Sequence, residues 1–166
     1  MLGGPEFDSL NSVKYLFLRE LLEPRDNSLR LVVEEAIDNW SAAPYTKSSD
    51  PGVARILTEA WPIESVKGCK RFDLFWTQYV AYLVTEELVG SAGSYDDEVY
   101  KGRLLRVYTK SHFLDYLSRN TGGRTDPVLH YKLICLDHLI DIASYAPPDI
   151  RVTDSASASA SPPPIQ

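Results

Sequence analysis

The chain lacks the residues and spacings on which the commonest catalytic and metal sites are built. Its 166 residues include three histidines and two cysteines, and the cysteines form no CxxC pair. Zinc sites and thioredoxin-like chemistry therefore lose their usual sequence support. The motifs GxSxG, HExxH, GxxxxGK(S/T) and GxGxxG do not occur either. Four common chemistries have no support, and we predict neither a cofactor nor a metal site.

Long apolar runs are also absent. No stretch of the sequence approaches the roughly 18 apolar residues that cross a bilayer. The first residues lack the basic start and apolar stretch of a secretory signal. Two cysteines are too few for a disulfide framework and fit reduced thiols. We therefore expect a soluble, cytoplasmic protein with no membrane partner.

Positive charge is neither abundant nor concentrated. The formal net charge is −6, and the densest basic stretch, residues 101–110, directly follows the acidic residues 96–98. Nucleic-acid binding needs Lys and Arg gathered on one face, so the sequence argues against a general nucleic-acid binder. A composition of 44% hydrophobic and 24% charged residues is that of an ordinary globular protein.

The two ends of the chain differ in composition from its middle. Residues 1–7, MLGGPEF, are typical of a cloning remnant, because Glu-Phe is what an EcoRI site encodes. Residues 153–166 consist mainly of Ser/Ala alternation and three prolines, which offer no apolar face, and we expect them to be disordered. Residues 8–152 are expected to form a single globular domain.

Three segments in the first half carry recognisable patterns. The apolar spacing over residues 10–23 predicts a helix. Residues 29–40 and 69–84 fit either a helix or a strand, but β-branched residues in the first half of 29–40 and aromatic residues in 69–84 favour strands. The second of these strands would bury alternate residues on one face, before a turn near Thr77: Phe72, Leu74 and Trp76.

The second half predicts a strand, a short helix and a last strand. Residues 103–108 favour a strand, and Ser111 is placed to cap a helix over residues 112–119. Residues 130–144 are interpreted as one strand. Helices and strands do not alternate in a βαβ rhythm. The expected fold class is α+β, with an N-terminal helix, a mostly antiparallel sheet and one short helix before the last strand.

His130 and His138 are the first candidates for a shared site. Eight residues along one strand separate them by roughly 26 Å, too far to hold one ion. Asp137, His138 and Asp141 share a face only if the segment is helical. In a strand, His138 and Asp141 lie on opposite faces, so they are weak catalytic candidates, and a partly buried histidine with a backbone or carboxylate partner is the favoured interpretation.

His112 and Asp115 form the second candidate pair. They lie three residues apart on the predicted short helix, a spacing at which a carboxylate can orient an imidazole as a general base requires. No nucleophile is indicated beside them, so a surface histidine at the start of a helix is the favoured interpretation.

Two groups of side chains suggest binding instead of chemistry. On the predicted strand 103–108, Arg106 and Tyr108 share a face with Lys110 beyond them, and a sheet covered on one side would leave that face to solvent. Arginine and aromatic residues anchor many protein interfaces. A weaker hypothesis is a small-molecule pocket lined by three aromatic residues of the segment 69–84. They are Trp76, Tyr79 and Tyr82.

The sequence thus favours a noncatalytic module of the inhibitor, immunity or adaptor type, which binds another protein or a ligand. Its expected partner is another protein or a second copy of the chain in a homodimer. The alternative is a hydrolase or transferase whose site assembles from distant segments, with His112, His130 or His138 as base and Asp115 or Asp141 as its orienting carboxylate.

Overall fold

Apolar and polar residues alternate along β-strands such as residues 70–76 and 105–108, and the strands of the chain pair into two antiparallel sheets. The computed structural model describes residues 3–40, 50, 52, 61–90, 96–123 and 127–154. The elements are α1 (Pro5–Ser12), β1 (Tyr15–Leu22), β2 (Leu29–Asp38), β3 (Ile63–Glu64), β4 (Lys70–Trp76), β5 (Ala81–Glu86), β6 (Val99–Lys101), β7 (Leu105–Lys110), α2 (His112–Thr121), β8 (Leu129–Ile134), β9 (His138–Ser144) and β10 (Asp149–Asp154).

The two sheets pack face to face around one core. The first sheet has the order β1–β2–β4–β10, with β3 paired to β2, and the second has the order β5–β9–β8–β7–β6. Buried apolar residues from both sheets form a single cluster, so the inner faces of the sheets contact each other. The predicted α+β class with antiparallel strands is confirmed. Residues 155–166, most of the predicted disordered tail, lie outside the described residues.

The two segments that fitted either a helix or a strand are strands. β2 covers most of residues 29–40, and β4 and β5 occupy residues 69–84 with a break between them, close to the predicted turn. The alternation predicted for β4 is confirmed, because Phe72, Leu74 and Trp76 are all buried in the core.

The predicted helix over residues 10–23 is wrong. The helix α1 ends at Ser12, and residues Tyr15–Leu22 form β1, which pairs with β2 along its whole length. A register shift between Leu18 and Glu20 interrupts the two-residue alternation of β1. Such a bulge gives a strand the apolar spacing of a helix, and strand pairing then outweighs the local pattern. Residues 5–7 belong to α1, and Phe7 packs against the core.

The prediction of one strand over residues 130–144 is also wrong. The segment is a hairpin of β8 and β9, so three strands follow the short helix instead of one. The turn contains neither glycine nor proline and is held by β1: Leu136 N donates to Leu16 O at 2.8 Å, and Leu18 N donates to Asp137 Oδ1 at 3.3 Å. Because two of the bonds that hold the turn come from a distant strand, the local sequence alone did not predict it.

Ion pairs link the charged side chains on the outer face of the first sheet, which is the face turned away from the second sheet. Arg30 Nε donates to both carboxylate oxygens of Asp73 at 3.0 Å, and Arg71 bonds Glu20 and Glu34 at 3.0 Å each. Burial raises the pKa of Glu34, but hydrogen bonds from Arg19 and Arg71 outweigh burial and leave that pKa below its usual value. The long side chains cover apolar surface between them.

No helix in the described ranges is long and apolar enough to cross a membrane.

Gly102, between β6 and β7, is required by both conformation and space. Its φ is +94°, and a Cβ there would overlap the carbonyl oxygen of Leu105. Gly68 has a similar φ of +96° but nothing within 4 Å of its Cβ position. We expect Gly102→Ala to lower the free energy of unfolding by at least about 2 kcal/mol more than Gly68→Ala, measured by urea denaturation. Equal losses in the two variants would show that backbone conformation alone sets the requirement.

Candidate functional site

A row of aromatic rings crosses the outer face of the second sheet, the face turned away from the first. The strand register places Tyr100 opposite Tyr108 and Tyr108 opposite His130. The rings of Tyr108 and His130 stack with centroids 4.4 Å apart, and those of Tyr100 and Tyr108 lie 4.9 Å apart. This row is covered by α2, whose Phe113 ring lies 5.0 Å from that of His130.

The expectation that the face of Arg106, Tyr108 and Lys110 is left to solvent is wrong for most of this face. Tyr108 is buried, Arg106 is half-buried with its guanidinium 4.6 Å from the centre of the Tyr100 ring, and only Lys110 is exposed. Burial raises the pKa of Tyr108, partly offset by the neighbouring Arg106. Of the three residues, only Lys110 is therefore exposed.

A buried hydrogen-bond chain joins α2 to the second sheet through His130. Ser111 Oγ lies 2.8 Å from His130 Nδ1, and His130 Nε2 lies 2.8 Å from Asp141 Oδ1. Ser111 also caps α2, since Leu114 N donates to its Oγ at 3.2 Å. A neutral imidazole with its proton on Nε2 satisfies every contact: Ser111 donates to Nδ1, and Nε2 donates to Asp141. Lys132 Nζ stands 3.6 Å from the same carboxylate oxygen.

The chain contains the three groups of a Ser-His-Asp hydrolase, but their surroundings differ from what attack on a substrate needs. Ser111 is 2% exposed, and its oxygen already accepts the cap hydrogen bond. Both ring nitrogens of His130 are engaged, and the ring is packed between Tyr108 and Phe113. A nucleophile must reach the substrate, so this geometry suits a structural link better than catalysis.

The predicted histidine–carboxylate pairs are replaced by other pairs. His112 Nε2 lies 3.0 Å from Asp97 Oδ1 on the surface, and its predicted partner Asp115 is exposed one turn further along α2. Hydrogen bonding to His112 lowers the pKa of Asp97. His138 lies beside Asp137, with Nδ1 3.2 Å from Oδ2 and not aligned for a hydrogen bond.

The hairpin brings Asp141 to His130 instead of His138. Lys132 pairs with Asp141 and His130 with Ala143, so His130 and His138 lie at opposite ends of the hairpin. The sequence places His130 and Asp141 only among the possible bases and carboxylates of the alternative hydrolase. It does not link Ser111 to them, because residues 130–144 are interpreted as one strand. In the described part of the chain, no group of three or more His, Cys, Asp or Glu side chains is arranged to hold a metal ion.

Beside α2, the outer face is open and forms a cleft of about 210 Å³, here called the outer cleft. Its floor is made by β8 and β9, and β5 forms one side. At Gly90 a Cβ would approach the side chains of Leu139 and Thr85 to 2.8 Å, so the chain passes close to the floor there. The lining residues are Leu83, Thr85, Gly90, Glu98, His112, Phe113, His130, Lys132, Leu139 and Asp141.

β5, at the rim of the outer cleft, is an edge strand with exposed apolar side chains. It pairs with β9 on one side and ends the strand order of the second sheet. Leu83 is 50% and Val84 39% exposed, and in the turn that follows Leu88 is 86% and Val89 79% exposed. Within the described residues, no strand pairs with the other side of β5, and this side together with the apolar side chains makes an edge that can pair with another strand.

The other three sheet edges carry features that hinder pairing. β1 has its bulge and the charged residues Arg19 and Glu20, and β6 is three residues long. β10 carries Asp149, Arg151 and Asp154. Bulges, charges and shortness are the devices by which native sheets protect their edges. β5 has no charged residue before its last position, Glu86.

The predicted aromatic pocket is divided by the fold. Trp76 is 1% exposed, and its ring contacts that of Tyr131 in the core, 5.8 Å between centroids. Tyr79 and Tyr82 are half-buried and contact each other edge to face at 5.1 Å. Tyr82 donates to Glu23 Oε1 at 2.7 Å, and this bond is the largest cause that raises the pKa of Tyr82 to about 12.

Comparison with known protein families matched none of them, and comparisons with curated proteins and with solved structures found no significant match. The site is therefore interpreted from its own geometry.

We expect Ser111→Ala to destabilise the fold because it removes the cap of α2 and leaves His130 Nδ1 without a donor. The loss should be about 1–3 kcal/mol in the free energy of unfolding, measured by urea denaturation. Ser118→Ala, the same change in the interior of α2, should be neutral within about 0.5 kcal/mol. If the two variants were equally stable, the buried hydrogen-bond chain through His130 would not support α2.

Proposed function

We propose that the protein is a noncatalytic interaction module that binds an extended segment of another protein along β5. The observation that carries this proposal is the edge of β5. Its apolar side chains are exposed and no other described strand pairs there, while the other sheet edges carry features that hinder pairing. A segment that pairs with β5 gains main-chain hydrogen bonds, as in other cases of strand addition.

The energetics of the edge support binding there. Leu83 and Val84 each keep a third or more of their surface in water. Removing such surface from water stabilises a complex by about 25 cal/mol per Å², so the apolar residues of β5 and its turn supply a central anchor. On the outer face of the first sheet, by contrast, ion pairs link the charged side chains of β1, β2 and β4.

The second candidate function is a hydrolase that uses Ser111, His130 and Asp141. The favouring observation is their two contacts of 2.8 Å. The burial of Ser111 and its role as a helix cap weigh against it.

A serine-directed fluorophosphonate probe separates these two functions. A catalytic serine with an activating histidine reacts with such a probe, whereas a buried cap hydroxyl does not. We expect no labelling of the folded protein, measured by intact-protein mass spectrometry. Stoichiometric labelling that Ser111→Ala abolishes would favour the hydrolase and contradict the proposal.

Val84→Lys tests the proposed edge. Random twelve-residue peptides displayed on phage are selected on the wild-type protein, and the affinities of selected peptides are measured by calorimetry. A lysine on the edge hinders strand pairing, so we expect Val84→Lys to weaken binding at least about tenfold, with a change in stability within about 0.5 kcal/mol.

Val99→Lys is the matched control, because Val99 is 56% exposed on β6, the opposite edge of the same sheet. It should leave the affinity unchanged. Equal binding by wild type and Val84→Lys would show that the peptides bind elsewhere.

A further inference from the structure

The surface that a strand docked on β5 would face is acidic. Glu98 and Asp141 line the outer cleft, and Lys132 is the single Lys or Arg among its described lining residues. With the histidines counted as neutral, two carboxylates face one ammonium group. Residues 81–90, which form β5 and the following turn, contain Glu86 and Glu87 and no Lys or Arg.

Glu98 provides the accessible acceptor of the outer cleft. Asp141 is engaged by His130 and Lys132. Glu98 is half-buried, and its Oε1 accepts from His112 N at 3.0 Å. Within the described ranges its other oxygen makes no hydrogen bond. A half-buried carboxylate with an open oxygen favours a cationic donor, because hydrogen bonds between charged groups are stronger than those between neutral ones.

The volume of the outer cleft indicates what kind of cation it takes. Pockets for independent small molecules measure roughly 300–1,000 Å³, whereas the outer cleft measures about 210 Å³. It is therefore better matched to one long side chain. Leu83 and Thr85 lie both on β5 and on the cleft wall, so a side chain from a strand beside β5 lies at the entrance.

We infer that the segment bound along β5 is an apolar strand with one Lys or Arg, and that this basic side chain enters the outer cleft and binds Glu98. The inference rests on the proposed function and adds the chemistry of the partner to it. Main-chain pairing then supplies general affinity, and the cleft supplies selectivity for the basic residue.

A second copy of the chain fits this surface less well. Twofold pairing of β5 with itself would bring Glu86 and Glu87 of both copies to the same interface and no Lys or Arg to the cleft. Each copy also carries a formal charge of −6. Charge complementarity therefore favours a basic segment of another protein.

The test uses the peptides selected on the wild-type protein. We expect them to share a Lys or Arg within an apolar stretch. In a peptide that carries arginine, replacing that arginine by citrulline keeps the shape and removes the charge, and should weaken binding about tenfold. Glu98→Gln should weaken the arginine peptide to a similar extent and leave the citrulline peptide unaffected. Glutamine keeps an oxygen that can accept from His112 N, so the local fold is preserved.

Asp96→Asn is the matched control, since it changes the net charge equally on an exposed residue outside the cleft. It should alter the affinity less than twofold at 0.15 M salt. Arginine and citrulline peptides that bind equally well, both through β5, would overturn the basic-residue inference and leave the proposed function intact. Peptides that do not perturb the backbone amide resonances of β5 would overturn both. A dimer that Val84→Lys dissociates would assign the edge to a second copy and also overturn the inference.

Discussion

The hydrogen bonds of His130 set the shape of the whole outer face of the second sheet. His130 joins the cap residue of α2 to Asp141 on β9, and its ring stacks on Tyr108. Buried polar groups of this kind are costly when unpaired and rigid when satisfied. Because this hydrogen-bond chain fixes α2 to β8, the part of the face beside β9 and β5 is left open as the outer cleft. The position of the cleft thus depends on one buried imidazole, whereas the exposed edge follows from the strand order, which ends at β5.

The outer faces of the two sheets are covered in different ways. Ion pairs among Arg30, Arg71, Asp73 and Glu20 lie across the outer face of the first sheet. The second sheet is covered by a helix over only part of its width, and apolar residues remain exposed on β5 and in the turn after it. Exposed apolar surface next to an unpaired edge is uncommon in a protein that stays alone, because it invites association. This asymmetry supports the interpretation of the second sheet as the binding side.

The sequence predicted the parts of the fold that depend on local pattern. The alternation of β4, the cap at Ser111 and the short helix after it all follow from neighbouring residues. The predictions of two elements were wrong for the same physical reason. The bulge in β1 and the turn between β8 and β9 are both stabilised by partners far away in the sequence, Leu16 and Leu18 contacting the turn directly. The site depends on that turn, so the sequence could name His130 and Asp141 as a possible base and carboxylate but could not predict that they meet or that Ser111 joins them.

The most direct test of this account is a crystal structure of the protein with a selected peptide. The account predicts a peptide strand hydrogen-bonded to β5, with a basic side chain in the outer cleft beside Glu98 and with Ser111, His130 and Asp141 in unchanged contact. A peptide bound away from β5, or a Ser111 side chain released from His130 to face the peptide, would contradict it.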